Sequence, residues 1–202
     1  MKSLKPFLAA ILVLVPLAAT PVLAAGVRYT LDPDHTQVRI HWNHFGFSNP
    51  GADFNISKGT LVWDAAHPER SSVSVTIPIA SVHTQVPALD KRFKTMFFDA
   101  AKYPTIRFKS TGVKRVGKAN HYRVAGELTV RGISKPVTLD VTLNKAGIQP
   151  MLDVPAIGFD ATGSVKRSEF GMDAFVPAVS DLVHIHITTE GVAAKPKPAA
   201  GS

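Results

Sequence analysis

From residue 27 onward, apolar positions along the chain recur mostly every second residue. Val38, Ile40 and Trp42 alternate with Gln37, Arg39, His41 and Asn43, which predicts a strand with one buried face, and by the same parity His44 continues that face. Ahead of it lies a short lead-in from Gly26 to Asp32; after it, Phe45-Gly46-Phe47 and Ser48 to Gly51 read as a loop. A second strand is expected from Phe54 to Asp64. Phe54 and Ile56 share one parity and Leu61 and Trp63 the other, so a bulge is expected at Lys58-Gly59. Val73, Val75, Ile77 and Ile79 define a third strand, with Pro78 at an edge or at a position that makes no ladder bond.

The period then changes. Leu89, Phe93, Met96, Phe97 and Ala100 recur at spacings of three and four, opposite Asp90, Lys91, Arg92 and Lys94, which predicts one amphipathic helix over about 87–102. Pro104 disfavours helical dihedrals at Tyr103, and Ile106 and Phe108 restore the period of two. A long hairpin follows: Tyr122, Val124, Gly126, Leu128 and Val130, a tight turn at Arg131-Gly132, then Val137, Leu139, Val141 and Leu143. Ile157, Phe159, Ala161, Gly163 and Val165 give another strand. A loop with Arg167, Phe170, Gly171 and Phe175 leads to the last, where Val183, Ile185 and Ile187 face inward.

About eight neighbouring strands and one helix predict an all-β antiparallel fold, a barrel or a sandwich. Gly59, Gly126 and Gly163 inside strands favour a sharply coiled eight-stranded barrel, with the helix as a lid or plug. A barrel of eight strands is either packed solid or holds one small ligand. No internal repeat is evident.

Composition changes this picture at the ends. Residues 1–24 carry Lys2 and Lys5, then an apolar run, then Val22-Leu23-Ala24, the pattern of a cleaved secretory signal; an uncleaved membrane anchor is the alternative. The remaining chain, about 178 residues, suffices for one domain with its own core, expected over 25–191. The Pro/Ala-rich stretch 192–202 is expected to be a disordered tail. There is no Cys, hence no disulfide and no lipid-modified cysteine. Cleavage removes two of the 23 Lys and Arg and none of the 15 Asp and Glu, leaving a net charge of +6. These charges are scattered singly, unlike the dense basic runs of nucleic-acid binders, and read as a solvated surface or as attraction to anionic lipid head groups.

Candidate chemistry lies mainly in the phenylalanines. Phe45, Phe47, Phe93, Phe97, Phe98, Phe170 and Phe175 fall in loops or on the helix, where a strand core does not need them. They either seal the barrel ends or form an apolar mouth. His184 and His186 share one strand face, as metal ligands do, but project away from Val183, Ile185 and Ile187. His44, on the inward parity, is either a hydrogen-bonded core histidine or a donor to a ligand head group. No G-x-S-x-G, H-E-x-x-H, P-loop or G-x-G-x-x-G pattern occurs, which argues against an enzyme.

Four stretches together resemble the YceI-like family over Tyr29 to Glu190. They are Asp34-His35-Thr36 with Val38, His44 and Gly46; Asp90 and Phe97-Phe98-Asp99 with Tyr103-Pro104-Thr105, Phe108, Ser110 and Thr111; Gly126, Leu128, Thr129 and Gly132 through Lys135-Pro136-Val137; and Arg167 with Phe170-Gly171. Thr36 stands where the family usually has Ser, and Arg92-Phe93 where His-Leu is common. The resemblance implies a lipocalin-like barrel, non-enzymatic and periplasmic, holding a polyisoprenoid chain such as a quinone tail, or another long amphiphile. It implies no cofactor besides that lipid, and leaves open contact with a membrane surface and a monomeric or dimeric state. A metal-binding role for the surface histidines, or a barrel enzyme acting on lipid, is the alternative. The residues expected to meet the ligand are His44, Phe45, Phe47, Phe54, Arg92, Phe93, Phe97, Phe108, Phe159, Phe170 and Phe175, with Arg92 facing an anionic head group.

Overall fold

The computed structural model describes residues 26–195 apart from residue 118. The expected signal segment 1–24 and most of the expected tail lie outside the described residues. Ten strands form a single antiparallel sheet: β1 (Val27–Leu31), β2 (Gln37–His41), β3 (Gly51–Asn55), β4 (Lys58–Trp63), β5 (Ser72–Pro78), β6 (Thr105–Arg115), β7 (His121–Val130), β8 (Ile133–Gln149), β9 (Val154–Lys166) and β10 (Leu182–Ala193). Their order is β1-β4-β5-β6-β7-β8-β9-β10-β2-β3, and the additional pairing of β1 with β10 closes the sheet.

Ten segments fill eight barrel positions. Along one edge of β10, β2 pairs with His184 to Thr188 and β1 with Gly191 to Ala193, so β1 and β2 occupy one position broken at Asp32 to Thr36. The break has local causes: Asp32 Oδ1 accepts the Asp34 N–H at 2.9 Å, and Asp32 Oδ2 lies 2.7 Å from His35 Nδ1. This contact holds the Asp32 carboxyl below its ordinary range and raises the His35 imidazole above its own. The lead-in expected ahead of the first strand is therefore itself a strand, β1, too short for alternation to reveal.

The second broken position is β3 with β4. Ser57 and Lys58 are exposed in succession between buried Ile56 and Gly59, which flips the parity as expected, although the interruption starts at Ile56-Ser57 rather than Lys58-Gly59. Pro78 ends β5 opposite Thr105, beyond Thr76, the last residue that β4 pairs, so its missing N–H breaks no ladder bond. Arg131 and Gly132 both have positive φ, 51° and 74°, as a two-residue hairpin turn with right-handed strand twist requires. β10 continues to Ala193, with Val192 and Ala193 paired to Thr30 and Tyr29, so the expected tail begins two residues late.

The helical segment is shorter than expected. α1 spans Pro87–Arg92 and passes into a π-helical turn, Phe93–Phe97, after which Asp99 adopts φ 49° and the helix ends. The Phe98 N–H donates to Phe93 O at 2.9 Å, a bond five residues back. That wider turn brings Phe98 beneath the helix together with Phe93, both 6% exposed, and leaves Met96 on the solvent side at 48%. Asp90 fixes the entry: its Oδ1 accepts the Thr84 N–H at 2.7 Å and the Thr84 hydroxyl at 2.6 Å. The hydroxyl bond holds the Asp90 carboxyl below its ordinary range.

Candidate functional site

Inward side chains of all eight barrel positions surround a cavity of about 710 Å³. Its walls are aliphatic: Val38 and Ile40 from β2, Val73, Val75 and Ile77 from β5, Val124 and Leu128 from β7, Leu139 and Val141 from β8, and Val183, Ile185 and Ile187 from β10. Alternation alone places them there, since every second residue of a strand points inward.

Aromatic side chains occupy both ends. At one end buried Trp63 stands edge-on to Tyr122 and Phe159, with centroids 5.0 and 5.4 Å away. Pro68, buried in the short helical turn Pro68–Arg70, helps to close this end. At the other, Phe93 lies at the centre of a cluster with Trp42, Phe97, Phe98 and Phe54, at 5.6, 5.5, 5.8 and 6.5 Å. Phe45 and Phe175 line the cavity yet are 50% and 54% exposed, so the cavity meets solvent between them.

Four segments are tied together around that mouth. The Phe45 N–H donates to Ala178 O at 2.9 Å and His44 bridges Val179, which joins the β2–β3 loop to the β9–β10 loop. Arg131 donates to Gly171 O, joining the β7–β8 turn to the same loop. A Cβ on Gly132 would come within 3.0 Å of the Tyr103 ring, so that turn lies against the end of the helical segment.

Arg167 organises the β9–β10 loop from within. It is 9% exposed and donates to four carbonyls: Nε to Ser180 at 2.9 Å, Nη1 to Met172 at 2.5 Å and Ala174 at 2.9 Å, and Nη2 to Val179 at 2.9 Å. Burial pushes its guanidinium below the ordinary arginine value. Asp181 completes the loop, accepting from the Ser168 N–H at 2.8 Å and hydroxyl at 2.7 Å.

Among the described residues, no buried side-chain polar atom lacks a hydrogen-bond partner. Several polar groups of the lining are engaged: Thr36 and Thr189 share a 2.7 Å bond, and the Tyr122 hydroxyl donates to Ala119 O at 3.3 Å. The lining holds few polar groups among its aliphatic and aromatic side chains, and the His44 imidazole and the Arg92 guanidinium stand with Ser48 at the mouth. Such a cavity accepts an apolar body and keeps a polar end outside.

Of the residues expected to meet a ligand, His44, Phe45, Phe54, Arg92, Phe93, Phe97, Phe108, Phe159, Phe170 and Phe175 line this one cavity. Phe47 does not. It is 92% exposed and points away from the lining, because the turn after positive-φ Phe45 and Gly46 faces it outward. Trp42, Trp63 and Phe98 line the cavity but were not expected there as ligand contacts. Parity placed Trp42 and Trp63 inward, whereas Phe98 needed the π turn. On the outer face, His184 stacks on His41 at 4.8 Å and His186 pairs in register with Arg39. Among the described residues, no three His, Asp or Glu side chains gather around one point.

Residues 29–191 match the YceI-like domain. The chain belongs to the YceI-like family. Among its relatives, a UPF0312 protein of Pseudomonas fluorescens is 36% identical over 182 residues, covering 89% of this chain and 92% of that protein. One from Pseudomonas putida is 34% identical over 183 residues, covering 87% and 94%. Among solved structures, BcnA of Burkholderia cenocepacia superposes with a TM-score of 0.71 at 25% identity, covering 79% of this chain and 98% of that one. The Campylobacter jejuni YceI protein gives 0.65 at 28%, covering 76% and 90%. A polyisoprenoid-binding domain from Saccharophagus degradans shares the YceI-like fold, with a TM-score of 0.60 at 12% identity, over 83% of this chain and 99% of that one.

Proposed function

We propose that this protein is an exported, non-enzymatic carrier that holds one long isoprenoid-type chain in its barrel with the polar end at the mouth. The observation that carries the reading is the apolar cavity, open beside Phe45 and Phe175 and walled by aliphatic and aromatic side chains. At about 710 Å³ it falls in the range of about 300–1,000 Å³ that accommodates one small molecule. If an apolar cavity of about 150 Å³ holds one benzene, this one has room for roughly 25–30 carbon atoms. Burial of apolar surface at about 25 cal/mol per Å² makes a chain of that size a favourable guest even after ordering costs. Likeness to a barrel described as polyisoprenoid-binding agrees with the chemistry. Export rests on the signal-like residues 1–24.

The two tryptophans of the chain allow a direct test, because Trp42 stands near the mouth and Trp63 at the packed end. Delipidated protein carrying Trp63→Phe or Trp42→Phe is titrated with a polyprenylated quinone. Saturation near one ligand per protein is expected, with the quinone ring quenching Trp42 far more than Trp63. No saturable binding, or stronger quenching of Trp63, would refute the reading.

A further inference from the structure

The mouth carries more exposed apolar surface than a closed barrel end needs. Phe47 is 92% exposed, and Phe45, Phe175, Met96, Leu182 and Ile133 lie between 39% and 54%. They come from the β2–β3 loop, the β9–β10 loop, the helical segment and the β7–β8 turn, which the hydrogen bonds and close approaches above tie together at one end of the barrel. Isolated exposed apolar residues are ordinary; a cluster around one opening marks an interaction surface. Among the described residues, no helix is long and apolar enough to cross a membrane.

Charge identifies the partner. Residues 42–50, 86–103, 131–135 and 166–182, which make up the rim, contain eight Lys or Arg against five Asp or Glu. Arg167 is buried inside its own loop, which leaves seven basic side chains against the five carboxylates. Lys91 and Arg92 are exposed on the same helical segment as Met96, and Lys102 is exposed in the turn that follows it. At the packed end, by contrast, residues 64–71, 116–120 and 150–153 hold three acidic residues and two basic ones. A second exposed apolar group there, Ile148, Met151 and Leu152 on the β8–β9 hairpin, adjoins Asp153, whose carboxylate lies 3.7 Å from Lys195 Nζ.

We propose that the mouth end docks on the surface of an anionic phospholipid bilayer, with Phe47 and its apolar neighbours entering the headgroup boundary and the rim lysines and arginines meeting lipid phosphates. Docked this way, the cavity opens onto the membrane, and an apolar chain crosses between them without exposure to water. The transfer rests on the lipid-carrier reading; the docking does not, and is measured separately.

Flotation of the purified protein with phosphatidylcholine vesicles, with and without phosphatidylglycerol, tests it. Binding is expected only with phosphatidylglycerol and weakens as salt rises. Phe47→Asp is expected to lower it about tenfold or more, and Lys91→Glu by about fivefold, while Met151→Asp leaves it unchanged. Because Phe47 lies outside the cavity lining, Phe47→Asp should keep its copurifying lipid, so failure of docking is distinguishable from failure of the cavity reading. Lack of flotation with anionic vesicles, loss of flotation in Met151→Asp but not Phe47→Asp, or a stable dimer that Phe47→Asp dissociates would each overturn the proposal.

Discussion

Phe97 and Phe54 are both phenylalanines of the mouth cluster, but they hold different positions. Phe54 is 2% exposed, packed against Phe93 and Phe98, whereas Phe97 is half-buried and touches the cluster edge-on through Phe93 alone. Phe54→Ala should therefore cost the ligand-free protein about 3–5 kcal/mol, as a truncation inside a packed core does. Phe97→Ala should cost much less stability and instead reduce lipid retention, while Phe97→Trp should take volume from the chain. Urea unfolding of delipidated variants, run beside lipid quantification of the same preparations, separates the two roles. Strong destabilisation by Phe97→Ala with lipid content unchanged would make the helical segment a plug. The wall is similarly specific at Gly126, where an added Cβ would lie 2.4 Å from the Phe108 ring. The glycine there leaves space for a cavity-lining aromatic, an arrangement alternation shows only as an oddly small inward residue.

Among the elements, those with a clean period were legible and those with a local defect were not. The hairpin of β7 and β8, its turn at Arg131-Gly132 and the inward face of β10 follow from alternation and turn chemistry, because a one-residue slip would expose an entire apolar face. β1 was not legible: its buried pair Tyr29 and Leu31 is too short a run, and its partners on β10 and β4 are far away in sequence. Nor was the π turn, since a bond from Phe98 to Phe93 replaces the 3.6 period for a single turn and exchanges Met96 for Phe98 on the inner face. The outward position of Phe47 was not legible either, because a loop has no parity to say which way a side chain points. Arg167 was legible as part of a motif, but its role was not, since its four acceptors are backbone carbonyls without side-chain identity. That role predicts that Arg167→Lys, which keeps the charge and loses the planar fork, destabilises the β9–β10 loop by about 3 kcal/mol. Hydrogen exchange should then speed up over residues 168–181 and leave β7 and β8 protected; uniform loss of protection would mean that the arginine supports the whole barrel.

For the molecule as a whole, two broken strand positions, a short helical segment and one ordered loop turn an eight-stranded barrel into a container with one packed end and one open end. The packed end has Trp63, Tyr122 and Phe159 buried against one another; the open end has its aromatics half-exposed around His44 and Arg92. A container so built should leave its host loaded. The protein, purified from its native host without detergent, is weighed intact under native conditions and then extracted with organic solvent. The mass should exceed that of the polypeptide by one ligand, and the extract should contain an isoprenoid-type lipid in about equimolar amount. A native mass equal to the bare polypeptide, together with an extract empty of long-chain lipid, would contradict the account.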